Sequence, residues 1–197
     1  MKTRYCFTLL TSLLLAGLAA AEVGEKATPA DAKPALRTSA QWYQSAYDKR
    51  HQHNFEAAIA DATEAIKLDP SNAKAWLERG ISRNNQKDYE GAIEDCNQAV
   101  KIAPDFADCI RIRGEIKARM KNYIGAISDF DEAIKLQPKF SRAYGNRAEA
   151  YHALGKDEQA LADYNISLSL DNQSHPWFTQ ARDSILRTQG KNPVPAK

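Results

Sequence analysis

The sequence holds 197 residues, 43% of them hydrophobic, 9% aromatic and 26% charged, with 27 basic residues against 25 acidic ones. Such a balance lacks the basic excess that drives nucleic-acid binding. The length suits one domain, and no apolar run after the first is long enough to cross a membrane.

The chain opens with Lys2 and Arg4, runs through an apolar stretch from Tyr5 to Leu18, and reaches "LAAAEV", where Ala19 and Ala21 have the spacing export peptidases require. This three-part layout predicts a secretory signal peptide over residues 1–21, cut between Ala21 and Glu22. Its apolar run is shorter than the roughly 20 residues of a membrane-spanning helix. Cleavage would remove Lys2 and Arg4, which lowers the 27 basic residues to 25 and levels them with the acidic ones. The expected location is the periplasm or the secreted space. Residues 22–38, "EVGEKATPADAKPALRT", carry two prolines and few large apolar side chains, and read as a flexible linker.

One sentence is then written three times. "FEAAIADATEAIKLDP" begins at Phe55, "YEGAIEDCNQAVKIAP" at Tyr89 and "YIGAISDFDEAIKLQP" at Tyr123, at steps of 34 residues. In the middle copy, Trp76, Arg79, Gly80 and Arg83 share one face of a first helix. Tyr89, Ala92, Ile93, Cys96, Ala99 and Val100 share one face of a second. The polar "NNQKD" from Asn84 to Asp88 reads as the turn between them, and Pro104 closes the unit. Small residues recur where helices must approach closely, as Ala46, Gly80, Gly114 and Ala148 and again as Ala58, Ala92, Ala126 and Ala160. Bulky partners recur as Trp42, Trp76, Ile110 and Tyr144, so small faces large across each pair. The predicted units are residues 39–72, 73–106, 107–140 and 141–173. The fourth is degenerate, because Asp157, Ser167 and Asn172 replace its aromatic, alanine and proline.

This pattern resembles the tetratricopeptide repeat family, whose signature positions are nearly all present in the second and third copies. The resemblance implies an all-α, right-handed solenoid of about four helix–turn–helix repeats. One helix pair cannot bury its own apolar face, so neighbouring units stack and share a core. After the fourth copy, "SHPWFTQARDSILRTQG" predicts a capping helix over 174–189. Ser174 is its cap, Pro176 lies in its first turn, and Trp177, Phe178, Ala181 and Ile185 form its apolar face, away from Arg182, Asp183 and Arg187. Residues 190–197 read as a disordered tail.

Catalytic signatures are missing. His51 and His53 form a short "HQH" with no third ligand nearby, and there is no phosphate loop, nucleophile elbow or zinc spacing. No cofactor or metal site is expected. Acidic pairs such as Glu94–Asp95 and Asp131–Glu132 read as a solvated outer face. Cys96 and Cys109 fall on helices that the repeat packs side by side, and export would put them where a bridge persists, so a Cys96–Cys109 disulfide is one of two open readings. The competing reading is that both are small core residues. Asn165 and Asn172 match the short glycosylation pattern, which carries little weight.

The family resemblance further implies that the first helix of each pair lines a concave groove that binds a peptide or helix of a partner protein. The candidate lining is Tyr43, Tyr47, Lys74, Leu77 and Ile81, then Arg111, Ile112, Arg119, Arg142 and Asn146, with Glu78, Glu115 and Glu149 among them. The expected function is a non-enzymatic scaffold or adaptor of the cell envelope or secretory space, without nucleic-acid partners. The alternatives are self-assembly into homo-oligomers through the irregular end and, as a minor one, a cryptic metal-dependent or hydrolytic enzyme.

Overall fold

The computed structural model of the chain describes residues 37–171 and 176–191. The signal peptide, most of the linker, the Asn172 and Ser174 positions and the last six residues lie outside them. The described residues form helices and no strand. They run as α1 (Ser39–His51) and α2 (Phe55–Leu68), α3 (Ala73–Asn85) and α4 (Tyr89–Ile102), α5 (Ala107–Arg119) and α6 (Tyr123–Leu136), α7 (Ser141–Ala153) and α8 (Asp157–Leu170), then α9 (Pro176–Thr188).

The polar punctuation of the sequence sets these boundaries. Asn54, Asn72, Asp88 and Asn122 each accept from the amide three residues on, which satisfies a donor that the first helical turn leaves open. Thr38 and Gln41 form a reciprocal capping box at the start of α1. The turn inside each pair uses one residue in the left-handed region, at His53, Lys87, Lys121 and Gly155 in successive repeats. Only the last is a glycine, so three repeats carry that conformation against the steric preference of L-residues.

Each helix packs on the next, and α1 with α3, α3 with α5, and α5 with α7 also touch directly across the repeat boundary. Among the described residues, no two even-numbered helices make a comparable contact. The odd helices are therefore the tighter, inner layer of the right-handed solenoid, and the even helices its outer layer.

Close approach explains the small residues. A Cβ on Gly114 would lie 2.7 Å from Phe130 Cε1, and one on Gly80 would lie 3.2 Å from the Ala92 carbonyl oxygen. Ala46, Ala58, Ala92, Ala126, Ala148 and Ala160 are all fully buried. In the third repeat the small Gly114 faces the bulky Phe130, whereas Gly80 in the second meets Ala92, Asp95 and Cys96.

Charge is buried here in a way that the apolar pattern conceals. Arg79 gives Asp95 a two-pronged contact, with Nε to Oδ2 at 3.0 Å and Nη2 to Oδ1 at 2.7 Å. Arg113 repeats it on Asp129 at 3.0 and 2.7 Å, and Arg147 on Asp163 at 2.7 and 2.8 Å. The first repeat substitutes Ser45 and Lys49, both 2.5 Å from Asp61 Oδ2. Asp95 is only 1% exposed, which corrects its placement on a solvated outer face. A paired carboxylate tolerates burial because two guanidinium N–H groups replace its water. Asp131 does stay exposed at its side chain while meeting Arg147.

The two cysteines follow the core reading, and the apolar face expected of α9 is corrected. Cys96 and Cys109 are free thiols, both fully buried in one apolar cluster with Leu77, Ala92, Ala99, Ile112 and Ile116. Burial pushes both thiols up, away from the reactive thiolate. On α9, Phe178 and Ile185 are buried against Ala160, Tyr164 and Leu168, but Trp177 is 51% exposed. Arg182, expected away from the packed face, is buried at 7%.

Candidate functional site

The inner layer offers two regions that differ in chemistry. Near its start, Tyr43 and Tyr47 lie one helical turn apart with ring centroids separated by 6.5 Å. Arg50 stands over the Tyr47 ring at 5.2 Å and pairs with the buried carboxylate of Glu78. Tyr47 is exposed and Tyr43 half-buried, so an aromatic edge faces outward here.

At the far end, α5, α7 and α9 enclose a cleft of ≈ 600 Å³. Arg111, Glu115 and Arg119 enter from α5, and Arg142, Asn146 and Glu149 from α7. Tyr123, Trp177 and Phe178 supply aromatic wall. The arginines and glutamates project together because each set is spaced by three or four residues along its helix. Glu115 accepts from Arg111 Nη1 at 3.2 Å and from Arg119 Nη2 at 2.9 Å. With its amide oriented to satisfy both neighbours, Asn146 accepts from Arg111 Nη1 at 3.3 Å and donates to the Arg142 backbone carbonyl at 3.3 Å. Arg111 also lies 5.7 Å from the centroid of the Phe140 ring. Glu149 is exposed. Partial desolvation by the crowded walls, and then the nearby Glu115 carboxylate, raise its carboxyl to about 7, with Arg119 pulling the other way.

The helical pairs match the tetratricopeptide repeat pattern over residues 43–105 and, in a second form of that pattern, over 130–162. Over those residues the helix pairs are similar to tetratricopeptide repeats. Among solved structures, the repeat stack is similar to pilF of Pseudomonas aeruginosa, with 21% identity over 77% of this chain and 69% of that one, and a TM-score of 0.72. It is also similar to a thermophilic TPR protein of Thermus thermophilus, with 17% identity, 78% and 84% coverage and a TM-score of 0.68. A third likeness is MamA from Desulfovibrio magneticus RS-1, with 18% identity, 79% and 88% coverage and a TM-score of 0.66. At these identities the likeness is one of fold. No curated protein matches the sequence. Tetratricopeptide repeats generally serve as protein-interaction scaffolds, because stacked repeats present an extended concave surface.

Against that surface the ten candidate groove residues divide. Arg111, Arg119, Arg142 and Asn146 come together in the cleft. Tyr43 and Tyr47 form the separate aromatic edge. Leu77 and Ile112 are buried at 9% and 8% in the cluster that holds the two thiols, so they pack the repeats together and present no free surface. Ile81 packs half-buried against the same cluster. Lys74 lies elsewhere, in a shallow depression with Asp69, Asn72, Asp105 and Phe106 between two repeat-closing loops. Sequence reasoning missed Tyr123, Trp177 and Phe178 as cleft wall. The signal for Phe178 was Gly145, whose missing side chain makes room for that ring. Among the described residues no group of three or more His, Cys, Asp or Glu side chains could hold a metal ion, and no helix is long and apolar enough to cross a membrane.

Proposed function

We propose that this chain is a non-enzymatic scaffold of the cell envelope or secretory space, which holds a peptide or helix of a partner protein against its odd-numbered helices. The cleft between α5, α7 and α9 carries the reading. It concentrates arginine and aromatic side chains, the residue types that most often anchor protein interfaces, on rigid helices. The aromatic edge at Tyr43 and Tyr47 extends the contact surface toward the first repeat. Export is supported by the basic, apolar and small-residue segments of residues 1–21.

The test is affinity capture from a periplasmic or secreted extract, comparing the native chain with Tyr47→Ala and Arg142→Glu, both at exposed positions. A partner held by the native chain and lost by the variants supports the scaffold reading. A partner retained equally by all three removes the inner layer from the account. A second reading, self-association through the terminal helix, draws on the half-exposed Trp177. Light scattering that grows with concentration and is abolished by Trp177→Ser would favour it.

A further inference from the structure

The turns inside the four repeats follow one plan and differ in what they display. The residue that closes the odd helix is Gln52, Gln86, Met120 and Leu154 in successive repeats. The second residue of the even helix is Glu56, Glu90, Ile124 and Glu158. The first two repeats therefore show that the turn folds with polar side chains at both places. In the third and fourth, Met120, Ile124 and Leu154 replace them, at 40%, 77% and 38% exposure. Ile124 is the most exposed large apolar side chain among the described residues, and all three stand outside the buried core.

Charge changes at the same place. The turn of the first repeat carries Glu56, that of the second Asp88 and Glu90, and that of the fourth Asp157 and Glu158. The third, from Arg119 to Gly125, carries Arg119 and Lys121 and no acid. Lys121 and, near Leu154, Lys156 are exposed and form no ion pair among the described residues. Arg119 holds Glu115, and Asp157 is engaged by His152 Nδ1 at 2.6 Å, while Glu158 stays exposed at the fourth turn. Helices α5 and α7 touch directly, so Met120 and Leu154, at their C-terminal ends, stand on one edge of the stack.

We propose that this edge docks on an anionic lipid surface, with Ile124, Met120 and Leu154 entering the headgroup boundary and Lys121 and Lys156 meeting lipid phosphates. Such docking goes beyond the scaffold role, which uses the faces of the odd-numbered helices and not the turns at their ends. Interfacial binding adds apolar area buried at the headgroup level to attraction between basic side chains and anionic lipid. Each basic side chain held near such a surface strengthens binding by about fivefold. It needs no helix that crosses the bilayer, and none of the described helices is long and apolar enough to do so. Three side chains on two turns are too few for a stable protein interface, which takes roughly 20–30 residues a side. A lipid surface sets no such minimum, because each protruding side chain enters it separately.

The experiment records the Met, Ile and Leu methyl signals of the isotope-labelled full chain by nuclear magnetic resonance. Small bicelles supply phosphatidylglycerol and a lipid spin-labelled in its acyl chain, which broadens the methyl groups that touch lipid. Met120, Ile124 and Leu154 are expected to broaden. Leu68, Ile102 and Leu136, which are 57%, 37% and 42% exposed at the C-terminal ends of α2, α4 and α6, are expected to stay sharp. Bicelles of phosphatidylcholine alone, or high salt, should reduce the broadening severalfold. Combining Met120→Gln with Ile124→Glu installs the residue types of the first two repeats, so the thermal melt stays native. That variant is expected to lose the broadening at Leu154 by about tenfold or more, the effect of withdrawing a large apolar side chain from lipid. Residues 1–21 are common to both chains, so lipid binding through that segment cancels in the comparison. Broadening of both methyl sets alike, equal broadening by phosphatidylcholine, or an unchanged Leu154 in the variant overturns the assignment. So do Met120 and Ile124 methyl shifts that grow with protein concentration in the absence of lipid, because a second copy of the chain then covers the patch.

Discussion

Gly145→Ala tests how the solenoid ends. Gly145 lies in α7, and a Cβ built on it would stand 2.1 Å from Phe178 Cε2 and 2.2 Å from Cζ, closer than side-chain carbons approach in folded proteins. The obstacle is an aromatic ring, 1% exposed and packed on Tyr164 at 5.9 Å between centroids, so it has no flexible end to swing aside. Two effects oppose each other. Replacing a helical glycine by alanine gains roughly 0.5–1 kcal/mol from backbone entropy and helix propensity. Wedging a methyl group into a filled site costs about 1–3 kcal/mol, and full loss of a buried phenylalanine site costs about 3–5 kcal/mol. The wedge wins, and the net loss is about 1–2 kcal/mol if the ring shifts and more if α9 leaves. For a domain of this size each kcal/mol lowers the melting temperature by about 2–4 °C. Because terminal units of a repeat stack open on their own, the assay pairs a thermal melt with Trp177 emission and limited proteolysis after α8. A variant that melts above the native chain with Trp177 emission unmoved would refute the seating of Phe178 on Gly145.

The buried ion pairs should dominate stability. Asp95→Ala leaves Arg79 and Arg83 without their shared carboxylate and is expected to cost about 3–5 kcal/mol in a urea melt, whereas Asp131→Ala, at an exposed side chain, stays within about 0.5–1 kcal/mol of native. Lys121→Gly relieves a left-handed residue in the third turn and is expected to stabilise by about 0.5–1 kcal/mol; a lower melting temperature would contradict the turn geometry. Cys96 and Cys109 should resist alkylation in the native chain and both react after unfolding without reductant. Peptide mapping that finds them bridged would restore the disulfide.

The repeat was legible because burial of a shared face enforces a fixed period, and the period survives in sequence at Ala58, Ala92, Ala126 and Ala160. The charged pairs were harder. Asp61, Asp95, Asp129 and Asp163 recur at the same interval, each sixteen residues after Ser45, Arg79, Arg113 or Arg147. Acidic residues default to a solvated reading because burial of an unpaired carboxylate is so costly, and only the pairing distance reverses it. The cleft was half legible. Arg111, Arg119, Arg142 and Asn146 follow from helical spacing and repeat register alone. The wall made by Trp177 and Phe178 depends on where a helix with no repeat partner comes to rest, which periodicity does not encode. Leu77 and Ile112 were misplaced because odd helices touch one another, so part of the face expected to line the groove closes the repeat junctions.

Site-specific photo-crosslinking tests the central claim most directly. A photoreactive phenylalanine analogue replaces Tyr47 or Arg142 on the inner layer, or the exposed Glu94 on outer helix α4, and the chain is irradiated in the cells that make it. Crosslinks to one partner protein from the Tyr47 and Arg142 positions, and none from the Glu94 position, are the expected result. Crosslinks that form equally from α4, or from no inner position, would contradict a scaffold that works through its odd-numbered helices.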